Sequence, residues 1–372
     1  MLPRVKKPAL FERFPELQLT IPWVSLTCGP TPVQPLENLG NALGTENVWI
    51  KRDDLCGQPY GGNKPRKLEF LLAEALQKKA KTVLTLGALG SHHTLATAVY
   101  CNQLGLHPLL GLANRPLGER ERPNLLSSQA LGATLFFMPK DYYLLWKLPV
   151  KWLKQVYTDK KIPYFIPPGG SSLLGCLGYV SAAFELAAQI ESGSSIAPDE
   201  IYLPAGSLGT IAGLLLGIEL AGLTANVVGV KIYPSSKISS SGVFHLVKRC
   251  HAYLKKHIGS LPVLRLIESD IVIVDEYLGA GYAHTTQECE QAITLMQSTE
   301  DIRLEHVYTG KCLAALIQAV RQNRQDGKQF LFWNTYNSLP YQDSLPSAVV
   351  KTAIEASLLP YLSPVVDCTD SQ

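Results

Sequence analysis

The chain has 372 residues, of which 46% are apolar and 17% charged, and its 34 basic and 31 acidic residues leave a net charge of +3. This composition predicts a packed protein of about two domains and excludes intrinsic disorder, and so small a positive excess gives no reason to expect nucleic acid as a partner. The cysteines form no Cys-x-x-Cys pair, the N-terminus has charges where a signal peptide is apolar, and the apolar stretch Ile211–Ile218 is too short to span a membrane. We therefore expect a cytoplasmic protein with no disulfide framework, no metal site and no membrane segment.

Short apolar runs alternate with amphipathic segments along the chain. The pattern predicts, in chain order, a helix at Leu68–Leu76, a strand at Val83–Leu86, a helix at Thr94–Leu104, a strand at Pro108–Leu112, a helix at Gly178–Ile190, a strand at Ile201–Leu203, a helix at Thr210–Leu220, and strands at Val227–Ile232, Ile271–Val274 and Phe330–Trp333. Strand–helix alternation of this kind is typical of an α/β fold with mostly parallel sheets.

The segment Gly61-Gly62-Asn63-Lys64-Pro65-Arg66-Lys67 predicts a reactive lysine. Two glycines permit a tight turn, and Pro65 suits the first turn of the helix that follows. Lys64 is thus expected on a loop at the start of a helix, where neighbouring cations and the helix N-terminus lower its pKa. A neutral amine can react with an aldehyde. The alternative is an ordinary solvated lysine, which most loop lysines are.

A second glycine-rich segment, Gly206–Thr210, follows the predicted strand at Ile201–Leu203 and precedes a helix. Successive backbone N–H groups at a helix N-terminus bind anions, and Ser207 and Thr210 add hydroxyl donors. The spacing fits neither the dinucleotide fingerprint nor the Walker pattern. A small phosphate monoester is therefore the predicted ligand, and an ordinary strand-to-helix turn is the alternative.

Taken together, these segments resemble the pyridoxal-phosphate enzymes of the D-cysteine desulfhydrase and 1-aminocyclopropane-1-carboxylate deaminase family. The resemblance runs from about Thr31 to Asn337, and its most specific piece is the Gly-Gly-Asn-Lys-x-Arg-Lys-Leu-Glu run. The other pieces are Thr31–Leu36, Lys51–Leu55, Pro168–Ser171, Leu174–Tyr179, Asp275–Tyr277, Gly281-Tyr282 and Val307–Lys311. The order and spacing of the pieces carry the resemblance.

The resemblance implies an α/β fold of two three-layer αβα domains with mostly parallel sheets, the fold type II of tryptophan synthase β. Residues 1–67 and 166–372 would form the larger domain, which binds the cofactor, and residues 68–165 a smaller inserted domain. The implied partner is a small amino-acid substrate, and family members are commonly homodimers.

The resemblance also implies pyridoxal 5'-phosphate as the cofactor. Lys64 matches the lysine that bonds covalently to the cofactor aldehyde, and Asn63 and Lys67 match its supporting neighbours. The other implied site residues are the substrate-carboxylate loop Ser91, His92 and His93, of which His92 also flanks the cofactor ring; the phosphate loop Gly206, Ser207, Leu208, Gly209 and Thr210; the two active-site tyrosines Tyr282 and Tyr308; and Thr335 near the ring nitrogen.

The sequence departs from the family pattern in four places. His92 stands where the family usually has Asn, Leu208 replaces a glycine, Tyr336-Asn337 replace Gly-Gly, and Thr94-Leu95 replace a basic continuation. Leu208 is expected to restrict φ or to crowd the phosphate. These departures leave open a protein of this fold that has lost or changed its catalysis and acts as a binding module.

Thr309 distinguishes the two branches of the family, because the deaminase branch has Glu at this position. A carboxylate there would keep the pyridine nitrogen protonated, which the opening of a cyclopropane requires. A threonine can only hydrogen-bond, which favours the milder α,β-elimination. The preferred function is therefore a lyase that converts D-cysteine to pyruvate, ammonia and sulfide, with 1-aminocyclopropane-1-carboxylate deamination as the alternative.

Overall fold

A computed structural model describes residues 7–113, 122–138, 148–282, 284–323 and 326–339. The strands in these ranges are β1 (Val33–Pro35), β2 (Val48–Lys51), β3 (Thr82–Ala88), β4 (His107–Ala113), β5 (Thr134–Met138), β6 (Tyr164–Ile166), β7 (Glu200–Ala205), β8 (Asn226–Lys231), β9 (Val272–Val274) and β10 (Phe330–Trp333). The helices are α1 (Ala9–Arg13), α2 (Glu37–Leu43), α3 (Asn63–Gln77), α4 (His92–Gln103), α5 (Arg122–Ala130), α6 (Leu148–Asp159), α7 (Leu173–Glu191), α8 (Gly209–Ala221), α9 (Ser240–Lys255), α10 (Gln287–Glu300) and α11 (Thr309–Gln322).

The described chain divides into two compact units. The first comprises the residues up to Leu71 together with Gly170–Leu339, and the second contains Leu72–Gly169. The chain thus leaves the first unit inside α3 and returns to it after β6. The division into a larger cofactor-binding domain and an inserted domain at 68–165, which the family resemblance implies, stays a prediction.

The first unit is built on a six-stranded sheet in the order β1-β2-β10-β7-β8-β9. Only the β1–β2 pair is antiparallel among these neighbours. Strand β10 lies in the middle, where Phe332 pairs with Ile50 on one side and with Tyr202 on the other. All four residues of β10 are buried, as expected for a continuous apolar run inside a parallel sheet.

Helices α7 and α8 pack closely against each other in the first unit. Glycines allow the approach: a Cβ added at Gly213 would lie 2.4 Å from the carbonyl oxygen of Cys176, and one at Gly217 would lie 2.5 Å from the Cβ of Ala183. By length and composition alone α7 could cross a membrane, but 67% of its apolar window is buried inside the protein, as in a core helix. The most apolar stretch in the sequence pattern, Ile211–Ile218, lies instead in the shorter helix α8.

The second unit contains a parallel sheet in the order β5-β4-β3-β6. Helix α4 follows β3 and begins at His92, because the Ser91 hydroxyl caps it by accepting the backbone N–H of His93. The α/β class and the mostly parallel sheets are confirmed. The sequence placed the start of α4 at Thr94, and the capping serine accounts for the difference.

Candidate active site

The Gly61-Gly62 turn at the start of α3 is held by backbone hydrogen bonds from distant parts of the first unit. Gly62 N donates to the carbonyl of Asp53 at 2.8 Å, and Asn63 N donates to the carbonyl of Thr335 at 3.1 Å. Gly62 has a φ of +83°, and a Cβ there would lie 2.8 Å from the Thr335 oxygen. The turn therefore requires glycine for both its conformation and its close packing.

Lys64 is the second residue of α3, not a loop residue as the sequence predicted. Its Nζ lies 2.5 Å from Asn63 Oδ1, and the Nδ2 of the same asparagine donates to Thr210 Oγ1 at 3.1 Å. Asn63 thus connects the lysine amine to the start of α8. Burial lowers the pKa of Lys64 to about 7; the charge of Lys67 acts in the same direction, and the Glu305 carboxylate opposes both.

Arg66 does not have the effect on Lys64 that the sequence predicted. Its guanidinium contacts Asp53 Oδ1 at 2.7 Å and Glu185 Oε2 at 2.9 Å. Two buried carboxylates therefore balance its charge, so it contributes little repulsion to the lysine amine. The lowered pKa of Lys64 results first from burial and only second from a cationic neighbour, and that neighbour is Lys67.

Lys67 lies one turn further along α3, and 1% of its surface is exposed. Burial lowers its pKa to about 8, with the nearby Cys176 thiol acting in the opposite direction. A Cβ added at Gly170 would lie 3.4 Å from Lys67 Cδ, so the side chain runs alongside this glycine. Near pH 7.5 at least half of the molecules therefore have a charged Lys67, which suits an anion-binding role.

The predicted phosphate loop connects β7 to α8. Ser171 supports it from a neighbouring segment, because its hydroxyl donates to Ser207 Oγ at 2.8 Å and accepts the N–H of Gly209 at 3.0 Å. Leu208 immediately precedes α8 with a φ of +66°, a left-handed conformation that leucine rarely adopts. The expected restriction at Leu208 is therefore present as backbone strain. Nothing in the sequence indicated that Ser171 supports this loop.

The two predicted tyrosines meet in the first unit. The hydroxyls of Tyr282 and Tyr308 lie 2.7 Å apart, and the rings cross edge to face at 6.0 Å. Tyr308 borders the loop Gly206–Thr210, since a Cβ added at Gly206 would lie 3.6 Å from its Cε1. Tyr233 packs edge-on against Tyr282 with ring centroids 5.4 Å apart, a contact that the sequence did not indicate.

Lys311 joins the segment before Tyr282 to helix α11. Its buried Nζ donates to the carbonyl of Leu278 at 2.7 Å and to that of Gly281 at 3.2 Å. Because Tyr308 immediately precedes the same helix, this ammonium holds both tyrosines in one local framework. Burial lowers the pKa of Lys311.

Glu305 caps helix α11 and was missed by the sequence analysis. Its Oε1 accepts the backbone N–H groups of Tyr308 at 2.8 Å and Thr309 at 2.7 Å, and its Oε2 accepts that of Val307 at 2.7 Å. In return the backbone N–H of Glu305 donates to Thr309 Oγ1 at 3.2 Å. This reciprocal pattern resembles a capping box. Thr309 is fully buried, so its hydroxyl belongs to the cap.

Thr335 follows β10 and is 9% exposed. Its carbonyl accepts from Asn63, so it lies beside the turn that leads to Lys64. Asn337, two residues on, accepts the N–H of Gly61 at 2.7 Å. Of the two larger residues Tyr336 and Asn337, the asparagine therefore binds the glycine turn through its side chain.

The predicted carboxylate loop lies in the second unit. The His93 ring is 5% exposed, and its Nε2 contacts Thr85 Oγ1 at 2.8 Å. This imidazole is directed into its own unit, and the role in substrate binding that the resemblance implies for His93 stays a prediction. His92 is half-buried, and its Nδ1 lies 3.4 Å from Asn124 Nδ2. The substrate-binding roles of Ser91 and His92 stay predictions.

The first unit therefore brings together the lysine turn, the loop before α8, the tyrosine pair and Thr335. Among the residues that the structure describes, no group of three or more His, Cys, Asp or Glu side chains could hold a metal ion. The amine of Lys64 is suited to bond to an aldehyde, and Lys67 with the loop before α8 is suited to a phosphate.

Comparison with known proteins gives a consistent result. A family described as pyridoxal-phosphate dependent enzyme matches residues 24–335. A Pyrococcus horikoshii protein provisionally named 1-aminocyclopropane-1-carboxylate deaminase is 35% identical over 88% of this chain and 93% of its own. A D-cysteine desulfhydrase of Klebsiella pneumoniae is 35% identical over 87% of this chain and 94% of its own. A crystal structure of a homologue of ACC (1-aminocyclopropane-1-carboxylate) deaminase matches with a TM-score of 0.74 and 33% identity. The match covers 91% of this chain and 99% of that one.

Proposed function

Since the chain belongs to the pyridoxal-phosphate dependent enzymes, in the group of the 1-aminocyclopropane-1-carboxylate deaminases and D-cysteine desulfhydrases, we propose that it is a D-cysteine lyase. The reaction consumes D-cysteine and water and yields pyruvate, ammonia and hydrogen sulfide. We further propose a cytoplasmic homodimer, as the family resemblance implies; cell fractionation and sedimentation would test these two points.

The first unit offers a suitable site for pyridoxal 5'-phosphate. Lys64 would bond to its aldehyde, and its pKa of about 7 supplies the neutral amine that this bond needs. Lys67 and the loop Gly206–Thr210 would hold the phosphate. A Cβ at Gly209 would lie 2.5 Å from Ser171 Oγ, so the loop packs closely around its supporting hydroxyl. Thr335 would lie near the ring nitrogen.

When bound, the cofactor withdraws electrons from the Cα of an attached amino acid. Lys64 then serves as the base that takes the Cα proton, and its lowered pKa keeps it neutral for this step. One hydroxyl of the Tyr282–Tyr308 pair gives a proton to the departing sulfur. The second hydroxyl, 2.7 Å away, stabilises the negative charge left on the first tyrosine oxygen. The released enamine takes up water and becomes pyruvate and ammonia.

The observation that carries the choice of D-cysteine is the state of Thr309 and Glu305. Residue 309 has no carboxylate, and its hydroxyl is buried in the α11 cap. Glu305, the acid of the same cap, accepts three backbone N–H groups and the Thr309 hydroxyl, so its carboxylate is committed to the start of α11. Neither residue is available to hold a pyridinium proton, which supports elimination of a good leaving group over ring opening.

The test is an assay of both substrates with the same preparation. We expect sulfide and pyruvate from D-cysteine and negligible ammonia from 1-aminocyclopropane-1-carboxylate, which also has no Cα proton for Lys64 to take. Turnover of the cyclopropane with none of D-cysteine would overturn the proposal. This second candidate is favoured by the name of the Pyrococcus relative.

The assignment of Lys64 is tested separately. Borohydride treatment of the holoenzyme, followed by peptide mapping, should place the reduced cofactor on Lys64. The Lys64→Ala variant should lose both the visible absorbance band and turnover, whereas Lys161→Ala, which changes an exposed lysine of the second unit, should keep both. A label on another lysine contradicts the assignment.

A further inference from the structure

Two short segments far apart in the chain run side by side next to Lys64. Asn63 N donates to the Thr335 carbonyl at 3.1 Å, and Gly61 N donates to Asn337 Oδ1 at 2.7 Å. The register is antiparallel, because the partner number rises by two as the first number falls by two. At the second contact a side-chain oxygen occupies the place that a backbone carbonyl has in a normal ladder.

The amide of Asn337 is itself held in one orientation. Its Nδ2 donates to the carbonyl of Leu339 at 3.0 Å, and its Oδ1 also accepts the N–H of Leu339 at 3.3 Å. The acceptor therefore faces Gly61 without a free choice of rotamer. Gly61 is buried, and a buried backbone N–H without an acceptor is costly.

The backbone of the turn cannot shift to compensate for the loss of this hydrogen bond. A Cβ at Gly61 would lie 2.0 Å from the carbonyl oxygen of Asp54, so the backbone already touches its neighbour on the other side. Gly62 is fixed by its bond to Asp53 and Asn63 by its bond to Thr335. Gly61 is thus the one position of the turn whose backbone N–H is set by a side chain.

We propose that Asn337 is a positioning residue for Lys64: its amide oxygen holds the Gly61 N–H and thereby fixes the start of α3 and the place of the lysine amine. Asn337 acts through the backbone and has no direct part in the chemistry. The inference rests on the proposed role of Lys64, but its test needs neither substrate nor cofactor.

The variants separate the acceptor oxygen from the rest of the side chain. Asn337→Leu has nearly the same shape, no charge and no acceptor. Asn337→Asp keeps an oxygen for Gly61, loses the donor to Leu339 and adds a negative charge that would itself raise the pKa of Lys64, so it is compared by hydrogen exchange alone. Asn47→Ala is the control, because it removes another half-buried asparagine of the same unit, one that bonds to Gln329. All are made in the full-length chain, and thermal unfolding verifies that each is folded.

Two measurements report on the proposal. The first is hydrogen exchange of the peptide that contains the Gly61 turn, which should be about two- to tenfold faster in Asn337→Leu, the factor that corresponds to one net hydrogen bond. The second is the pH midpoint of trace acetylation of Lys64, measured by mass spectrometry on the full chain after hydroxylamine removes the cofactor. A loosened turn exposes the amine, so the midpoint should rise from about 7 towards that of an ordinary lysine.

The proposal is supported if Asn337→Leu changes both measurements, Asn337→Asp retains the protection of the turn, and Asn47→Ala changes neither. It is overturned if Asn337→Leu leaves the acetylation midpoint in place, since its role would then be structural only. It is also overturned if Asn337→Asp is as unprotected as Asn337→Leu. Failure of the proposed function gives a different result: borohydride labels another lysine, or D-cysteine is not consumed.

Discussion

The amine of Lys64 lies in a half-buried position where the loss of water, more than the charge of Lys67, lowers its pKa to about 7. Near neutral pH about half of the molecules then have a neutral amine, whereas an ordinary lysine with a pKa near 10.4 is almost entirely protonated. The structure thus supplies the nucleophile without a neighbouring base.

This pKa leads to a defined pH dependence. Below about pH 7 the amine becomes protonated, so the rate at which the cofactor-free chain combines with pyridoxal phosphate should fall about tenfold per pH unit. Above about pH 8 the rate should level off. Stopped-flow absorbance between pH 5 and pH 10 measures it. A rate that still rises tenfold per unit at pH 9 would indicate an ordinary lysine.

Residue types and spacing pointed to Lys64 and to the loop Gly206–Thr210, because these signals are local in sequence, whereas the tyrosines were implied only by the family resemblance. Residue types and spacing could not predict Asn337 or Glu305. The partner of Asn337 is Gly61, which is brought near only by the complete sheet, and Glu305 has the same residue type as many solvated acids. The position of the His93 ring could not be predicted for a related reason: its partner Thr85 lies on β3 and donates to the Ile166 carbonyl of the neighbouring strand β6.

At the level of elements, α8 begins under strain. Leu208 adopts a φ of +66°, which costs a leucine roughly 1–2 kcal/mol relative to glycine. Its side chain also packs near α9, because its Cδ1 would lie 3.5 Å from a Cβ at Gly242. The helix start therefore balances backbone strain against apolar contact.

Leu208→Gly should relieve this strain and raise the free energy of unfolding by about 1 kcal/mol relative to Leu208→Ala, which keeps the Cβ and loses the same contacts. The dissociation constant of the cofactor should fall in Leu208→Gly, because the loop reaches its conformation without strain. Urea unfolding and absorbance titration measure the two effects. Equal values for the glycine and alanine variants would show that residue 208 is not strained.

Helix α11 depends on Glu305 for its first turn. Glu305→Ala should lower the free energy of unfolding by about 1–2 kcal/mol, the usual effect of losing a cap, and should speed hydrogen exchange at Tyr308 and Thr309. Glu288→Ala is the control: this exposed acid lies in the first turn of α10, which Thr286 already caps. An effect as large in the control would contradict a specific role for Glu305.

Helices and strands were predicted well where their signal is local in sequence, and less well where contacts with distant residues set their ends. Buried parallel strands such as β3, β7 and β10 are continuous apolar runs, so their positions were correct within one or two residues. Helix starts were less accurate. The sequence began α4 at Thr94 and placed Lys64 before α3, because the caps and turns that start these helices are set by hydrogen bonds, and apolar periodicity does not report them.

Across the whole of the first unit, a buried ion cluster joins α3, α7 and the end of β2. Arg66 contacts Asp53 and Glu185, and Lys51 pairs with Glu185 from the other side. Burial alone would raise the pKa of Glu185, but the charges of Arg66 and Lys51 more than offset it and bring the pKa to about 2. The cluster therefore depends on an ionised carboxylate.

This dependence predicts sensitivity to acid. The pKa of Glu185 is lower in the folded state than its ordinary value of 4.5, so the unfolded chain binds the proton first as the pH falls. Stability should decrease between about pH 4.5 and pH 2, by roughly 3 kcal/mol from this group. The free energy of unfolding, measured with denaturant at each pH, should change less with pH in Glu185→Gln. The control Glu46→Gln, which changes an exposed acid, should keep the full pH dependence. A reduced pH dependence in this control would contradict the assignment of acid sensitivity to Glu185.

Strand β10 has a consequence for how the protein is made. It lies between β2 and β7, yet it leaves the ribosome about 280 residues after β2, which at 5–20 residues per second is roughly 15–55 s of synthesis. Until then β2 and β7 each have an unpaired edge, and the Thr335 carbonyl that accepts from Asn63 does not yet exist. A nascent chain therefore has an incomplete lysine site, and capture of the cofactor is an event of the finished polypeptide.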